Sequence, residues 1–318
     1  MSAGGGNKAV VAALLANTGI AVTKFFAFLL TGSSAMLAES IHSVADSSNQ
    51  GLLLLGGKRA RRAATPEHPF GFGRERYIYA FIVAIVLFSV GGLFALYEGY
   101  EKLKEPHPIE NWQWVPVAVL LAAIVMEGFS FRTAIVESNQ VRGSQSWSAF
   151  IRRAKAPELP VVLLEDFAAL IGLVLALVGV SLTLLTDDGK WDAVGSIAIG
   201  LLLVVVAVVL AIETKSLLLG EAATPQMRLR IREALTADGA VEGVIHMRTL
   251  HLGPEELLVA AKVAVRRTDS AGEVARAINE AENRIREAVP IAEMIYLEPD
   301  LYSAQAVRAD GKDAAAGT

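Results

Sequence analysis

Cysteine is absent from the 318 residues, so the chain has neither disulfides nor thiolate ligands. Any metal it holds must be held by nitrogen and oxygen donors, which suits zinc, manganese, cobalt or iron(II) and argues against copper(I). Charge is scarce as well: Asp, Glu, Lys and Arg make up 19% of the chain and hydrophobic residues 53%, where soluble domains carry about a quarter charged residues. Because the mean hydropathy is positive and the apolar residues fall in long runs, a bilayer accounts for them better than a large soluble core. The net charge of −4 decides little, since the charges are divided between regions, and no nucleic-acid partner is expected. HExxH is missing, as is any equivalent three-ligand arrangement beside a general base, so the chain is not read as an enzyme.

Crossing a bilayer takes about 20 mostly apolar residues. Six segments qualify, near 8–30, 35–56, 77–100, 114–136, 159–185 and 194–219. The first is longer than the roughly 7 to 15 residues of a signal-peptide core and shows no small-residue cleavage site, so it reads as a retained span. Only TGSS joins it to the second, which predicts a tight antiparallel hairpin. Lysine and arginine set the orientation. Lys58, Arg59, Arg61, Arg62, Arg74 and Arg76 lie between spans two and three, and Arg142, Arg152, Arg153 and Lys155 between four and five. The opposite loops hold Lys102, Lys104 and Lys190 among more numerous acids. Both termini are therefore expected in the cytoplasm. The alanine and arginine richness, with no recognisable transit segment, points to a bacterial inner membrane.

A water-soluble domain is expected to begin after the composition shift at GEAATPQ. The pattern predicts a helix over 225–235 with Thr224 as N-cap and proline at its first position, strands over 244–251 and 257–265, a helix over 271–288, and a strand over 291–297. This αββαβ order suggests a small antiparallel sheet with helices on one face. The organisation expected is a six-span membrane domain over 1–220, a cytoplasmic domain over 221–303, and a disordered tail over 304–318.

The stretch AMLAESIHSVADSSNQGLLLLG at 35–56 is apolar at both ends, yet its middle carries Glu39, His42 and Asp46. At intervals of three and four on a helix, these side chains share one stripe. Ionisable groups at that depth cost several kcal/mol unless compensated, and a divalent cation would compensate them. Imidazole and carboxylate four residues apart form a good zinc pair; the bland alternative is a polar face buried against neighbouring helices. Two groups do not complete a tetrahedral shell, so the rest must come from other spans. The fifth offers Glu165 and Asp166 inside LLEDFAAL. Neighbours point about 100° apart on a helix, so one faces the site. Asp166 is assigned first, leaving Glu165 as a further ligand or the partner of an arginine. Glu127 in the fourth span is a ligand, a proton carrier, or an interhelical bond. Glu39, one turn outward from His42, reads as a gate or attracting charge at the outer mouth. Asn17, Thr18, Asn49 and Gln50 read as interhelical hydrogen bonds. In the loop PEHPFGFGRERY, Arg74 and Arg76 can anchor at the interface or pair with an acid, and a lone His68 is usually solvated. His246 and His251, five apart on one strand, face opposite sides of it.

Together these features resemble the cation diffusion facilitator family over nearly the full chain: six spans, HxxxD in the second at His42 and Asp46, HPFGFGRER before the third, an aspartate in the fifth at Asp166, and a terminal domain of ferredoxin-like form. AESIHSVADSSNQG, LLEDFAAL, WDAVGSIAIG and ETKSLLLGE look most similar to the branch that includes the animal mitochondrial zinc exporter. The resemblance implies an all-α six-helix membrane bundle with an α+β ferredoxin-like cytoplasmic domain, working as a homodimeric metal–proton antiporter. Its site is then built from His42, Asp46 and Asp166. Val162 stands where commoner zinc members carry histidine or aspartate. Phe72 replaces a second histidine of a loop site that His68 would share. In the terminal domain His246 and Glu298 match ligand positions, whereas Ala261 and Tyr296 do not, so the domain is expected to serve dimerisation. Zinc is the first candidate cargo, with manganese, iron(II) or cobalt as alternatives, and a non-transporting metal-binding scaffold as a reading of another class. The ion is cargo; no resident cofactor is expected.

Overall fold

A computed structural model describes residues 4–31, 34–106 and 113–301; the side chains of Glu39 and His42 lie outside the described set, as does the tail expected over 304–318. The chain divides into two units, one formed by Met1–Arg62 with Glu75–Lys215 and the other by Ala63–Arg74 with Ser216–Thr318.

The first unit is helical. Helices α1 (Gly4–Thr31) and α2 (Ser34–Ala60) are paired by hydrogen bonds from Asn17 to Gln50, Thr18 to Ser47, Ser40 to the Ala21 carbonyl, and Lys24 to Ser43. From Asn17–Gln50 through Thr18–Ser47 to Ala21–Ser40, positions rising along α1 meet positions falling along α2, so the two run antiparallel as their short joint requires. The polar residues of the hairpin bond between helices, as expected of Asn17, Thr18 and Gln50.

The next apolar stretch, Glu75–Lys104, is not one regular helix. It comprises α3 (Glu75–Val86), a π-helical segment (Leu87–Leu93) and α4 (Phe94–Lys104). A π turn carries an extra residue and disturbs the face pattern, which the apolar run itself does not signal. Helix α5 (Trp114–Arg142) follows, then a short α6 (Trp147–Arg153) that the sequence did not predict, capped by the Ser146 side chain accepting from the Ala149 N–H. Helices α7 (Glu158–Thr186) and α8 (Lys190–Leu219) complete the unit. Glu75–Lys104, α5, α7 and α8 are each long and apolar enough to cross a membrane.

These four helices do not bury their apolar side chains as a soluble protein would. Phe129, Leu201, Val205 and Ile212 are each at least 55% exposed, while Asp46, Glu127 and Asp166 are buried. Apolar outside and acidic inside is the reverse of a water-soluble core, and it identifies an integral membrane protein. Small residues bring the helices close. A Cβ on Gly92 would lie 2.7 Å from Val204, one on Gly99 2.7 Å from Ile197, and one on Gly200 2.8 Å from the Leu96 backbone nitrogen. This is how helices associate where lipid removes the hydrophobic drive. Arg76 and Glu158 form a bidentate pair, with Nη2 donating to Oε2 at 2.8 Å, so Arg76 takes the acid-pairing option.

The second unit is small and mixed. Helix α9 (Pro225–Thr236) begins on the Thr224 side chain, which accepts from the Met227 N–H at 3.3 Å. Strands β1 (Gly243–Gly253) and β2 (Glu256–Val265) pair antiparallel, α10 (Ala271–Ala288) crosses over, and β3 (Met294–Leu301) pairs with β2 in parallel. The expected all-antiparallel sheet is therefore corrected to a mixed one, because the crossover through α10 returns the chain to the end of the sheet where β2 starts. The last strand also lies later than 291–297. Ile231, Leu235, Leu257, Val263 and Ile285 fill the core. Residues 63–74 belong to this unit: Gly73 lies so close to Gly253 that a Cβ on either would fall 3.0 Å or less from the other's Cα.

Candidate metal centre

Three helices contribute buried acids. Asp46 comes from α2, Glu127 from α5, and Asp166 from α7; they are 6%, 1% and 1% exposed. Glu127 stands three residues before Ser130, on the same face of α5. The Ser130 hydroxyl donates to Asp166 Oδ2 at 2.7 Å, which ties α5 to α7 and fixes the carboxylate. Asp166 Oδ1 and Glu127 Oε1 are buried with no hydrogen-bond partner among the described residues. An orphaned buried acceptor costs about 1–3 kcal/mol, and a proton or a cation relieves it.

Glu165 is engaged differently. Asn49 Nδ2 donates to its Oε1 at 2.7 Å and Gln50 Nε2 to its Oε2 at 2.9 Å. Its hydrogen bonds go to α2 amides. Adjacent carboxylates on α7 thus meet different neighbours, as the 100° step between them requires. Val162, one turn before Asp166, is completely buried within the apolar cluster that includes Leu53, Val83 and Leu210, and it offers no donor.

A cavity of about 30 Å³, room for about one water, is lined by Asn17, Lys24, Ser43, Asp46 and Glu127 on its polar side and by residues of α7 and α8 on its apolar side. His42 lies on α2 one turn before Asp46, and Glu39 one turn before His42; both side chains fall outside the described residues. Among the described residues no three His, Asp or Glu side chains converge into a ready metal cluster.

Other sequence candidates are placed elsewhere. His68 packs edge-on against Phe72, ring centres 4.7 Å apart. On β1, His246 stands opposite Lys262, whose ammonium reaches Glu298 and Asp300 at 3.0 Å each. Hydrogen bonds to those acids raise the Lys262 pKa. His251 is buried on the other face, its Nδ1 3.3 Å from the Gly253 carbonyl oxygen.

The model of the cation efflux transmembrane domain matches residues 10–219, about two thirds of the chain and all of the helices that carry these acids. The chain belongs to the cation efflux family. The family is one of transporters, not of enzymes. Among curated relatives, the mouse mitochondrial proton-coupled zinc antiporter SLC30A9 is 33% identical over 262 residues, 81% of this chain and 46% of that protein. Metal tolerance protein C4 of Arabidopsis thaliana is 30% identical over 258 residues, 80% of this chain and 56% of that protein. The zinc transporter ZitB of Pectobacterium atrosepticum is 29% identical over 123 residues, 38% of each chain. The cation efflux chain thus spans about half the length of the first two relatives.

Sequence reasoning missed two residues here. Lys24, inside the first apolar segment, is 3% exposed and donates to Ser43 Oγ at 3.1 Å. One charge in a long apolar run barely moves its average, but its isolation there was the available signal. Ser130 had none, since a serine in a membrane helix usually bonds its own backbone.

Proposed function

We propose that this cation efflux protein is a proton-coupled antiporter that exports a divalent cation, zinc first, from the cytoplasm. Asp46, Asp166 and His42 hold the ion, Glu127 joins them as ligand or proton carrier, and Glu165 serves as an interhelical clamp. The observation that carries this reading is the pair of buried oxygens, Asp166 Oδ1 and Glu127 Oε1, that have no hydrogen-bond partner among the described residues. Metal ligands must be deprotonated, so an ion and protons compete for the same lone pairs. That competition couples the two flows without a separate device. Two of the relatives, a proton-coupled zinc antiporter and a zinc transporter, favour zinc.

Six helices cross the membrane in this reading, α1 and α2 among them, since helices of 28 and 27 residues extend about 40 Å at 1.5 Å per residue. The Lys- and Arg-rich loops and the terminal αββαβ domain, of ferredoxin-like form, lie in the cytoplasm, and that domain joins two copies into a homodimer. The membrane is a bacterial inner membrane. Lys262 occupies the row between His246 and Glu298, which disfavours a metal site there.

A second reading is favoured by Val162. With no donor at that position, the set is rich in oxygen, which suits manganese or iron(II), with cobalt also open. Uptake into proteoliposomes under an imposed pH gradient tests the function. Wild-type protein drives zinc uptake that follows the gradient, and Asp46→Ala with Asp166→Ala abolishes it. Uptake that ignores the gradient, or survives the double substitution, refutes the antiporter. Competition by manganese, iron(II) and cobalt separates the two cargoes.

A further inference from the structure

Lys24 is a buried cation beside a cluster of buried acids. Lys24 lines the same cavity as Asp46 and Glu127, its charge interacts electrostatically with Glu127, and its ammonium donates to Ser43 Oγ. Ser43 is the neighbour of His42 in sequence. A lysine near a helix end reaches outward to the interface, but at 3% exposure Lys24 does the opposite and points into the bundle. Burying an ammonium there costs several kcal/mol unless acids compensate it. A hydrogen bond to one serine does not require a charge; a serine, threonine or glutamine would serve.

We infer that Lys24 is a tethered counter-cation that sets how tightly the site holds its cargo, by cancelling part of the negative charge that Asp46 and Glu127 present to the cavity. A carrier must bind its ion well enough to load and weakly enough to release. Bare buried carboxylates in a low-dielectric bundle would hold a divalent ion too firmly. A fixed positive charge on the same cavity, held back by Ser43, lowers that affinity without removing a ligand. Its role is to tune affinity and turnover; it does not touch the ion.

This inference rests on the antiporter reading, and the test separates the two. Zinc affinity of the full-length protein purified in detergent is measured by calorimetric titration for the wild type, Lys24→Gln and Lys24→Arg. Thermal unfolding is followed alongside, and proteoliposome uptake is resolved into half-saturating zinc and maximal rate. Glutamine keeps a donor for Ser43 and removes the charge. Lys24→Gln should bind zinc tighter by about ten-fold or more, the scale of one lost charge–charge repulsion in a partly buried site, and transport with a lower maximal rate. Lys24→Arg should behave as wild type. Lys24→Gln that is folded and binds zinc no tighter than wild type overturns the inference, because a purely structural lysine predicts that result. If Lys24→Gln does not fold, Ser43→Ala decides: untethering the ammonium should weaken zinc binding, and unchanged affinity overturns the inference. Wild-type protein that binds no zinc, manganese, iron(II) or cobalt would instead sink the antiporter itself.

Discussion

Glu165 and Asp166 are neighbours on α7 whose carboxylates serve different helices: Glu165 accepts from Asn49 and Gln50 of α2, and Asp166 from Ser130 of α5. Both oxygens of Glu165 are taken, whereas Asp166 Oδ1 has no partner among the described residues. The two acids should therefore fail differently. Asp166→Asn should abolish zinc binding, measured by titration of purified protein. Glu165→Gln should retain it, because the buried Asn49 Oδ1 has no partner among the described residues and an amide flip lets it accept from the new side chain. Glu165→Leu should lower stability by about 1–3 kcal/mol for each donor left unpaired, read by thermal unfolding. Loss of zinc binding in a folded Glu165→Gln protein would make Glu165 a ligand.

If Asp166 holds the ion as proposed, Ser130 acts on it through that carboxylate. The Ser130 hydroxyl occupies Oδ2 and leaves the buried Oδ1 with no partner among the described residues. Removing an outer partner of a metal-binding carboxylate typically costs about 10–100-fold in affinity. Ser130→Ala should fall in that range, and Ser130→Thr, which restores the hydroxyl, should recover most of it. Equal zinc affinity in wild type and Ser130→Ala would show that the carboxylate is held by something else.

What the sequence discloses follows from what is written in local pattern. The apolar runs that form Glu75–Lys104, α5, α7 and α8 and the cap at Thr224 and Pro225 are local, and the structure places them where the pattern does. The direction of β3 is not local. A strand's alternation is the same whichever way it pairs, and only the crossover through α10 makes it parallel to β2. The π turn at Leu87–Leu93 hides in the same way, since a uniformly apolar run has no periodicity to break. The partners of Glu165 could not be read, because which side of α7 faces α2 depends on packing between residues far apart in sequence, such as Asn49 and Gln50 against Glu165.

The first turn of α10 should be sensitive to acid. Glu273 accepts from the Ser270 N–H and from the Ser270 hydroxyl, both at 2.7 Å, and the backbone bond foremost holds its pKa below the usual glutamate value. A lowered pKa in the folded state contributes stability above the ordinary value of about 4.3, and loses it as pH falls through the lowered one. Hydrogen exchange of the first-turn amides of α10 should therefore quicken, relative to the rest of that helix, as pH drops from about 5 toward 3. Glu273→Gln should remove that pH dependence, leaving the Ser270 side chain as the remaining cap. An identical pH profile in both proteins would mean that the carboxylate contributes nothing to the cap.

The loop at 63–74 is covalently continuous with α2, the helix that bears Asp46, yet it packs with the terminal unit through Gly73 on Gly253. A Cβ on Gly253 would lie 2.9 Å from Gly73 Cα and 3.2 Å from its carbonyl carbon, both backbone atoms that cannot swing aside. Gly253→Ala should push the loop away at a cost of about 1–3 kcal/mol, the usual scale of overpacking. Trypsin should then cut after Arg74 faster than in wild type, while zinc titration of the membrane site stays unchanged, since no acid of that site moves. A protease pattern identical to wild type would mean that this contact does not hold the loop. A change in zinc affinity would mean that the loop's position is transmitted along α2 to Asp46.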